Sequence, residues 1–300
     1  MIAVLAAVMM VSGAAVAVAA GPWSAAESIE TFGAGANENF NTEFTEGCPF
    51  IAPDGKTFFI ASNRTGSLGG LDIWVSTRAS VNHPWSEPVN VGAPINTAAN
   101  DFCPTLSSDG KTFFFASNRA GHCGETANAD LYTARLDKSF RARTVTHLGC
   151  VVNSAWDEHS PFPANMRGQG PALFYSSARP LDELDTAGDH DLYASPLVRG
   201  VYQAGVPLSE INTTANEGQP NVRRDGQEIF FWSDRVGGLG GPDIYSSTMQ
   251  AGVWGTPQNL GANVNTAFGE TRPSLSYDGR TLYFGSTQVG GQSDIYVTTR

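Results

Sequence analysis

Five carboxylates recur in one fixed frame. Asn, then Thr or Ser, three residues, an acid, two residues and Pro read as Asn41, Thr42, Glu46, Pro49; Asn96, Thr97, Asp101, Pro104; Asn153, Ser154, Glu158, Pro161; Asn212, Thr213, Glu217, Pro220; and Asn265, Thr266, Glu270, Pro273. Acids ringed around one mouth of a channel could hold a cation, with Ca2+ the one they suit, or supply the acid and base of glycoside hydrolysis. The same spacing also fits a structural role, in which each acid accepts N–H or Arg donors while Asn and Thr build Asx-type turns. Symmetry favours the structural role, because an acid–base pair needs two unlike environments that repeats do not supply. No catalytic residue is assigned on this frame.

Residues that break the frame are the better candidates for a specific site. Two positions after the acid stand Cys48, Cys103, Ser160, Gln219 and Arg272, and two before it Phe44, Ala99, Trp156, Ala215 and Phe268. A ligand over the mouth would be ringed by Glu46, Asp101, Glu158, Glu217 and Glu270, with Trp156, Gln219 and Arg272 giving the site its asymmetry. Aromatic faces there suit a sugar ring or a peptide, and equally a roof over the core. Trp232 replaces the small residues Ala61, Ala116, Ser176 and Gly285, and packing is expected of it.

Other chemistries find little support. The loop "PLDELDTAGDHD" from Pro180 carries Asp182, Glu183, Asp185, Asp189, His190 and Asp191, without the alternating-acid spacing of a calcium loop. His83, His122, His147, His159 and His190 show no metal-ligand spacing. No Gly-x-Ser-x-Gly elbow or Cys-His pairing is present. The Gly-rich turns at 66–70 and 237–241 lack the Lys-Ser/Thr and the following helix of a phosphate loop. Arg64 with Asp72, and Arg235 with Asp243, are placed to pair across the base of those turns.

The elements that position these residues follow from self-similarity at a period of just over about fifty residues, the mark of a solenoid or a propeller. "TFFIAS", "TFFFAS", "EIFFWS" and "TLYFGS" are short, aromatic-rich runs that read as buried strands. Asp-Gly precedes each of them, at Asp54, Asp109, Asp225 and Asp278, a two-residue hairpin signal. A short strand opening with the frame's Pro comes before that turn. A third strand carries Asp-aliphatic-aromatic ("LDIW", "ADLY", "HDLY", "PDIY", "SDIY"), and a fourth follows Trp85, Phe140, Tyr202 or Trp254. Four antiparallel strands make one propeller blade.

These residues resemble the TolB-type, WD-repeat-like β-propeller family, whose blade runs acid-x-x-Pro, Ser-x-Asp-Gly, a hydrophobic strand, Ser-x-Arg, a Gly-rich turn and Asp-Ile-Tyr. The resemblance covers Pro22 to Arg300 and implies an all-β, five-bladed β-propeller of four-stranded antiparallel blades. It departs in the third copy, which has "ANMRGQGP" for the Asp-Gly turn, and in the fifth, which has Gln288 where the others have Arg64, Arg119, Arg179 and Arg235. The blades are placed at 41–95, 96–152, 153–211, 212–264, and 265–300 plus 21–40 within one propeller, 21–300. "PWSAAES" from Pro22 echoes "PWSEPVN" from Pro84, so the N-terminal segment is expected to supply the last blade's outer strand and close the ring.

Bulk properties frame the function. The 300 residues carry 18 Lys plus Arg against 29 Asp plus Glu, for a net charge of −11, which argues against a nucleic-acid groove or an anionic membrane surface. Residues 1–20 read as a signal peptide, placing the mature chain in the periplasm or outside the cell, with no membrane span after its removal. Export permits disulfides, expected between Cys123 and Cys150 and, with less support, Cys48 and Cys103. The reading is a monomeric, non-enzymatic binding or scaffolding module of the cell envelope, with no cofactor assigned, whose partner is an envelope protein, a peptide or a glycan. The alternatives are a carbohydrate-active hydrolase using the mouth carboxylates and a purely protein-docking platform.

Overall fold

The computed structural model describes residues 22–33, 36–37, 39–121, 123–124, 128–166, 168–181, 189–288 and 291–300. The leader read at 1–20, Gly21 at the propeller's start, His122, and Asp182, Glu183 and Asp185 of the acidic loop lie outside them. Among the described residues the strands form five antiparallel sheets in sequence order, the five blades of a β-propeller. Each innermost strand begins on the frame's acid: Glu46–Ile51, Asp101–Leu106, Glu158–Met166, Glu217–Val222 and Glu270–Leu275. No helix of the described residues is long and apolar enough to cross a membrane.

The second strands are apolar on consecutive residues because both of their faces are covered. Phe59 packs with Phe113, Phe115 and Tyr132 of the next blade. Its neighbour Phe58 points the other way, onto Tyr283, Ile295 and Val297 of the last blade. Every blade thus contributes to two inter-blade cores, which explains why the aromatic runs do not alternate with polar residues.

Two local expectations are corrected. The frame's prolines do not open their strands: they sit inside them at a β-bulge, where the register with the second strand shifts between Gly47 and Phe50 and at the four equivalent places. The residue before each Pro lies in the left-handed region: Cys48 at φ 46°, Cys103 at 49°, Ser160 at 58°, Gln219 at 53° and Arg272 at 62°. The bulge frees Pro from the ladder bond it cannot donate. The Asp-Gly turns also differ from a two-residue hairpin, since only the Gly has positive φ, 63° at Gly55. Gly55 N donates to Ala52 O at 2.9 Å, and Asp54 Oδ1 accepts from Lys56 N and Thr57 N. An Asx-stabilised turn closed by a left-handed Gly is the longer hairpin solution.

The ring closes between the two ends. Glu27–Ser28 pairs antiparallel with Asp294–Thr299, in the order of an outer strand beside a third strand. Trp23 is buried against Phe230 with the Arg300 guanidinium 4.6 Å over its ring, as Arg78 lies 4.1 Å over Trp85 in the first blade.

Candidate functional site at the two mouths of the channel

The five acids are fully buried, at 0% exposure each. Each points between strands of its own blade. Glu217 Oε1 accepts from Thr213 Oγ1 at 2.8 Å, Ser233 Oγ at 2.7 Å and Arg235 Nη2 at 3.0 Å, and its Oε2 from Thr213 N at 2.8 Å. Arg64 on Glu46, Arg119 on Asp101 and Arg179 on Glu158 repeat the pairing at 3.0, 2.6 and 3.2 Å. The fifth blade has Gln288 in place of Arg, and Glu270 is held by Thr266 and Ser286. Burial pushes Glu158 up from the usual carboxylate range, against the donors from Ser154, Ser177 and Arg179. The reading of Glu46, Asp101, Glu158, Glu217 and Glu270 as a lining of the mouth is therefore corrected: their oxygens are spent inside the blades.

The Arg partner is corrected as well. Arg64 and Arg235 turn inward to the frame acid, while Asp72 Oδ2 accepts from Leu68 N and Asn90 Nδ2, and Asp243 Oδ2 from Leu239 N and Asn259 Nδ2. Each Arg is also stacked on the third-strand aromatic, 4.9 Å from Tyr245 for Arg235 and 5.0 Å from Tyr132 for Arg119. The frame's Asn does not build its own turn but bridges blades. Asn96 accepts from Ile73 N at 2.9 Å and donates to Ile73 O at 2.8 Å, and Asn41, Asn153, Asn212 and Asn265 do the same to Ile295, Leu131, Leu192 and Ile244. Gly69 lets that incoming loop approach, since a Cβ there would stand 2.3 Å from Ala99 O.

The residues two positions after the acid form the throat. Cys48 and Cys103 are joined by a disulfide there, and Gln219 Nε2 lies 3.1 Å from both sulfurs. Gln219 Oε1 has no partner among the described residues. Arg272 reaches across to the first blade, where a Cβ on Gly47 would stand 2.1 Å from Nη1, and desolvation lowers its pKa from the ordinary guanidinium value. Trp232 fills the space over Gly218 in the same way. A void of about 30 Å³ remains below, bounded by Ser160 and the frame prolines. Above the throat, Trp156 and Phe268 are 38% and 50% exposed on the incoming loops. The other disulfide, Cys123–Cys150, joins loops at the rim of the second blade.

On that upper mouth the third blade gathers a cluster that sequence spacing did not reveal. The donor atoms of Asp157, His159 and His190 all lie within 4.8 Å of one another. Burial, with His190 adding to it, pushes His159 down to about 3, so its imidazole is neutral. Burial works to raise Asp157, but the bond from His190 and the Ala129 N–H hold it below the usual carboxylate range. The signal in the sequence was the break in the repeat: Asp157 stands at a position of Asn100 and Asn216, His159 at that of Gly47 and Gly218, and His190 at that of Leu71 and Pro242.

The opposite mouth, where the innermost strands end, opens into a cavity of about 580 Å³. Its walls are Phe50, Leu106, Phe162 and Leu275, flanked by Tyr202 and Tyr277, and its rim carries Asp109, Arg223 and Arg224. Arg223 is tied to Asp225 and Glu228 at 2.8 Å each. Arg224 is exposed, lies 4.3 Å over the Tyr277 ring and has no carboxylate partner among the described residues. Bonds from Ser107 Oγ and Lys111 N–H hold Asp109 below the usual carboxylate range. Sequence reasoning missed this cavity, because its lining comes from ordinary core positions and turn residues of every blade.

No protein-family model and no curated protein sequence matches the chain. Solved structures share its fold. A family-43 glycoside hydrolase described as thermostable is similar at a TM-score of 0.57 and 10% identity, over 87% of this chain and 90% of that one. A protein assigned as TolB from Agrobacterium tumefaciens is similar at 0.51 and 18% identity, over 89% and 79%. The endo-arabinase of Bacteroides thetaiotaomicron VPI-5482 gives 0.53 and 13%, over 93% and 98%. Against TolB from Acinetobacter baumannii the chain spans 54% of that protein's length, at a TM-score of 0.49 and 15% identity. At these identities the likeness is one of fold.

Proposed function

We propose that the protein is a non-enzymatic binding propeller that holds an extended peptide segment of a partner protein in the 580 Å³ cavity at the ends of its innermost strands. The observation that carries this reading is the cavity's composition. An apolar floor takes a buried side chain, and Tyr277 with Arg224, which meets no carboxylate among the described residues, offers a stacked cation to an acidic group on the segment. Glycoside hydrolysis calls for two carboxyl groups roughly 5–9.5 Å apart, one with a raised pKa. Asp109 is the one acid among the described residues of the cavity wall, and its pKa is lowered. The apolar leader at 1–20 and the two disulfides support placing the module in the cell envelope. The export signal, the envelope partner and the monomeric state belong to this proposal.

The test is an array of acidic and neutral peptides probed in parallel with arabinan-type and peptidoglycan-type oligosaccharides. Peptide binding weakened at least about tenfold by Tyr277→Ala and by Arg224→Ala is expected, since an aromatic or Arg anchor contributes on the order of 2 kcal/mol. Hydrolysis of any glycan, or peptide binding indifferent to both changes, would sink the reading.

A further inference from the structure

Three of the residues by which the upper mouth of the third blade departs from the repeat are metal-ligand types, and they converge. His190 Nε2 stands 3.3 Å from Asp157 Oδ2. Two donors on a tetrahedral ion with bonds of about 2.1 Å are separated by roughly 3.4 Å. His159 packs beside His190 with ring centroids 4.5 Å apart. We infer that Asp157, His159 and His190 form a binding site for one borderline divalent transition metal ion, with Zn2+ as its probe.

Each ligand is oriented by a neighbour, as metal ligands are. Asp157 Oδ1 accepts from Ala129 N at 2.7 Å, doing for the third blade what Asn100 Oδ1 does for Leu71 N and Asn216 Oδ1 for His190 N. The structural task in this position needs one oxygen, and an Asn supplies it elsewhere. The carboxylate adds a second, charged oxygen, which faces His190. His159 Nδ1 is engaged with Ser160 Oγ at 2.8 Å, which leaves Nε2 as its donor. His190 is fixed at its backbone by Asn216. Side chains of His190 and Asp157 remain 22% and 33% exposed, so an ion can reach them and keep a solvent-facing fourth position.

The donor chemistry agrees. Two imidazoles and one carboxylate favour Zn2+ and its neighbours over Ca2+, which takes oxygen ligands. Among the described residues, the other acid–histidine group, Asp130 with His147, lacks a third donor, since Cys123 beside it is bonded to Cys150.

The experiment is calorimetric titration of the full, chelator-treated chain with Zn2+, with Co2+ absorption as a spectroscopic check. One ion per chain with a dissociation constant below about 10 µM is expected. Asp157→Asn, which keeps the bond to Ala129, and His190→Gln, at a partly exposed ring, should each weaken binding at least about tenfold. His83→Gln should not. Zn2+ should also raise the melting temperature of the parent chain and of His83→Gln, and of neither ligand variant. A parent chain that takes up no Zn2+, or ligand variants that bind as tightly as the parent, would overturn the assignment.

Discussion

Each frame acid is a buried charge whose partners are supplied within its own blade, and the fifth blade is a built-in control for what the Arg contributes. Glu217 and Glu270 have the same hydroxyl and N–H donors, but only Glu217 faces a guanidinium. Glu217→Gln strands Arg235, whose side chain is 16% exposed. The expected cost is about 3 kcal/mol, the range for breaking one side of a buried pair. Glu270→Gln strands no cation and should cost about 1 kcal/mol, the scale of a weakened hydrogen bond. Urea denaturation of the two variants measures the difference, and equal losses would show that the ion pair adds nothing. The throat offers a second residue-scale test. A methyl on Gly218 would stand 2.3 Å from the Trp232 ring. Gly218→Ala should therefore cost about 1–3 kcal/mol by overpacking. In a Trp232→Ala background, which restores the small residue other blades carry there, the penalty should vanish. A double-mutant cycle with no coupling would rule out that contact.

At the scale of strands and loops, the blades are held together less by the repeated acid than by the repeated Asn. Asn153 accepts from Leu131 N at 2.8 Å and donates to Leu131 O at 3.2 Å, both in buried surroundings. Asn153→Ala removes two inter-blade bonds and leaves a buried amide unsatisfied, for about 2–3 kcal/mol. The loss should appear as faster hydrogen exchange at Leu131 in the neighbouring blade, and exchange altered only within the third blade would contradict the clamp. The sequence made the strands legible because their signals are local: aromatic runs, Asp-Gly turns and a period. The Asn role was not legible, since its partner lies in the preceding blade some twenty residues away and only the ring's curvature brings the two together. Nor was the bulge, which the Pro at its centre disguised as a strand start. Tyr277 and Arg224 illustrate the same limit at the cavity: each stands just before its own blade's Asp-Gly turn, and only the packing of the fourth blade against the fifth makes them neighbours. The cysteine pairs are a further check on the loops, and mass spectrometry of an unreduced digest should return Cys48–Cys103 and Cys123–Cys150 as cross-linked peptides.

For the whole molecule the decisive contact is the seam between the two ends of the chain. A propeller whose last blade lacks its outer strand leaves a ladder of N–H and C=O groups unpaired and one inter-blade core uncovered. Here Ser24 N donates to Thr299 O at 2.7 Å, Ile29 N to Ile295 O at 3.1 Å, and Asn41 takes the Ile295 N–H that each frame Asn takes from its preceding blade. Trp23 and Ile29 are 7% and 1% exposed, one in the core shared with the fourth blade and the other in the core shared with the first. The N-terminal segment is thus wedged between both neighbours of the seam. Burying two such side chains contributes roughly 2–3 kcal/mol each. That is a large part of a typical stability of about 5–15 kcal/mol. Removing residues 21–29 should therefore lower the melting temperature of the entire ring rather than fray one edge. Trp23→Ala alone should cost about 3–5 kcal/mol in the same single transition. Calorimetry distinguishes the outcomes: one transition shifted down is the signature of a seam that all five blades depend on. An unshifted main transition in the truncated chain would mean that each blade pair is stable on its own and that the closure is ornamental.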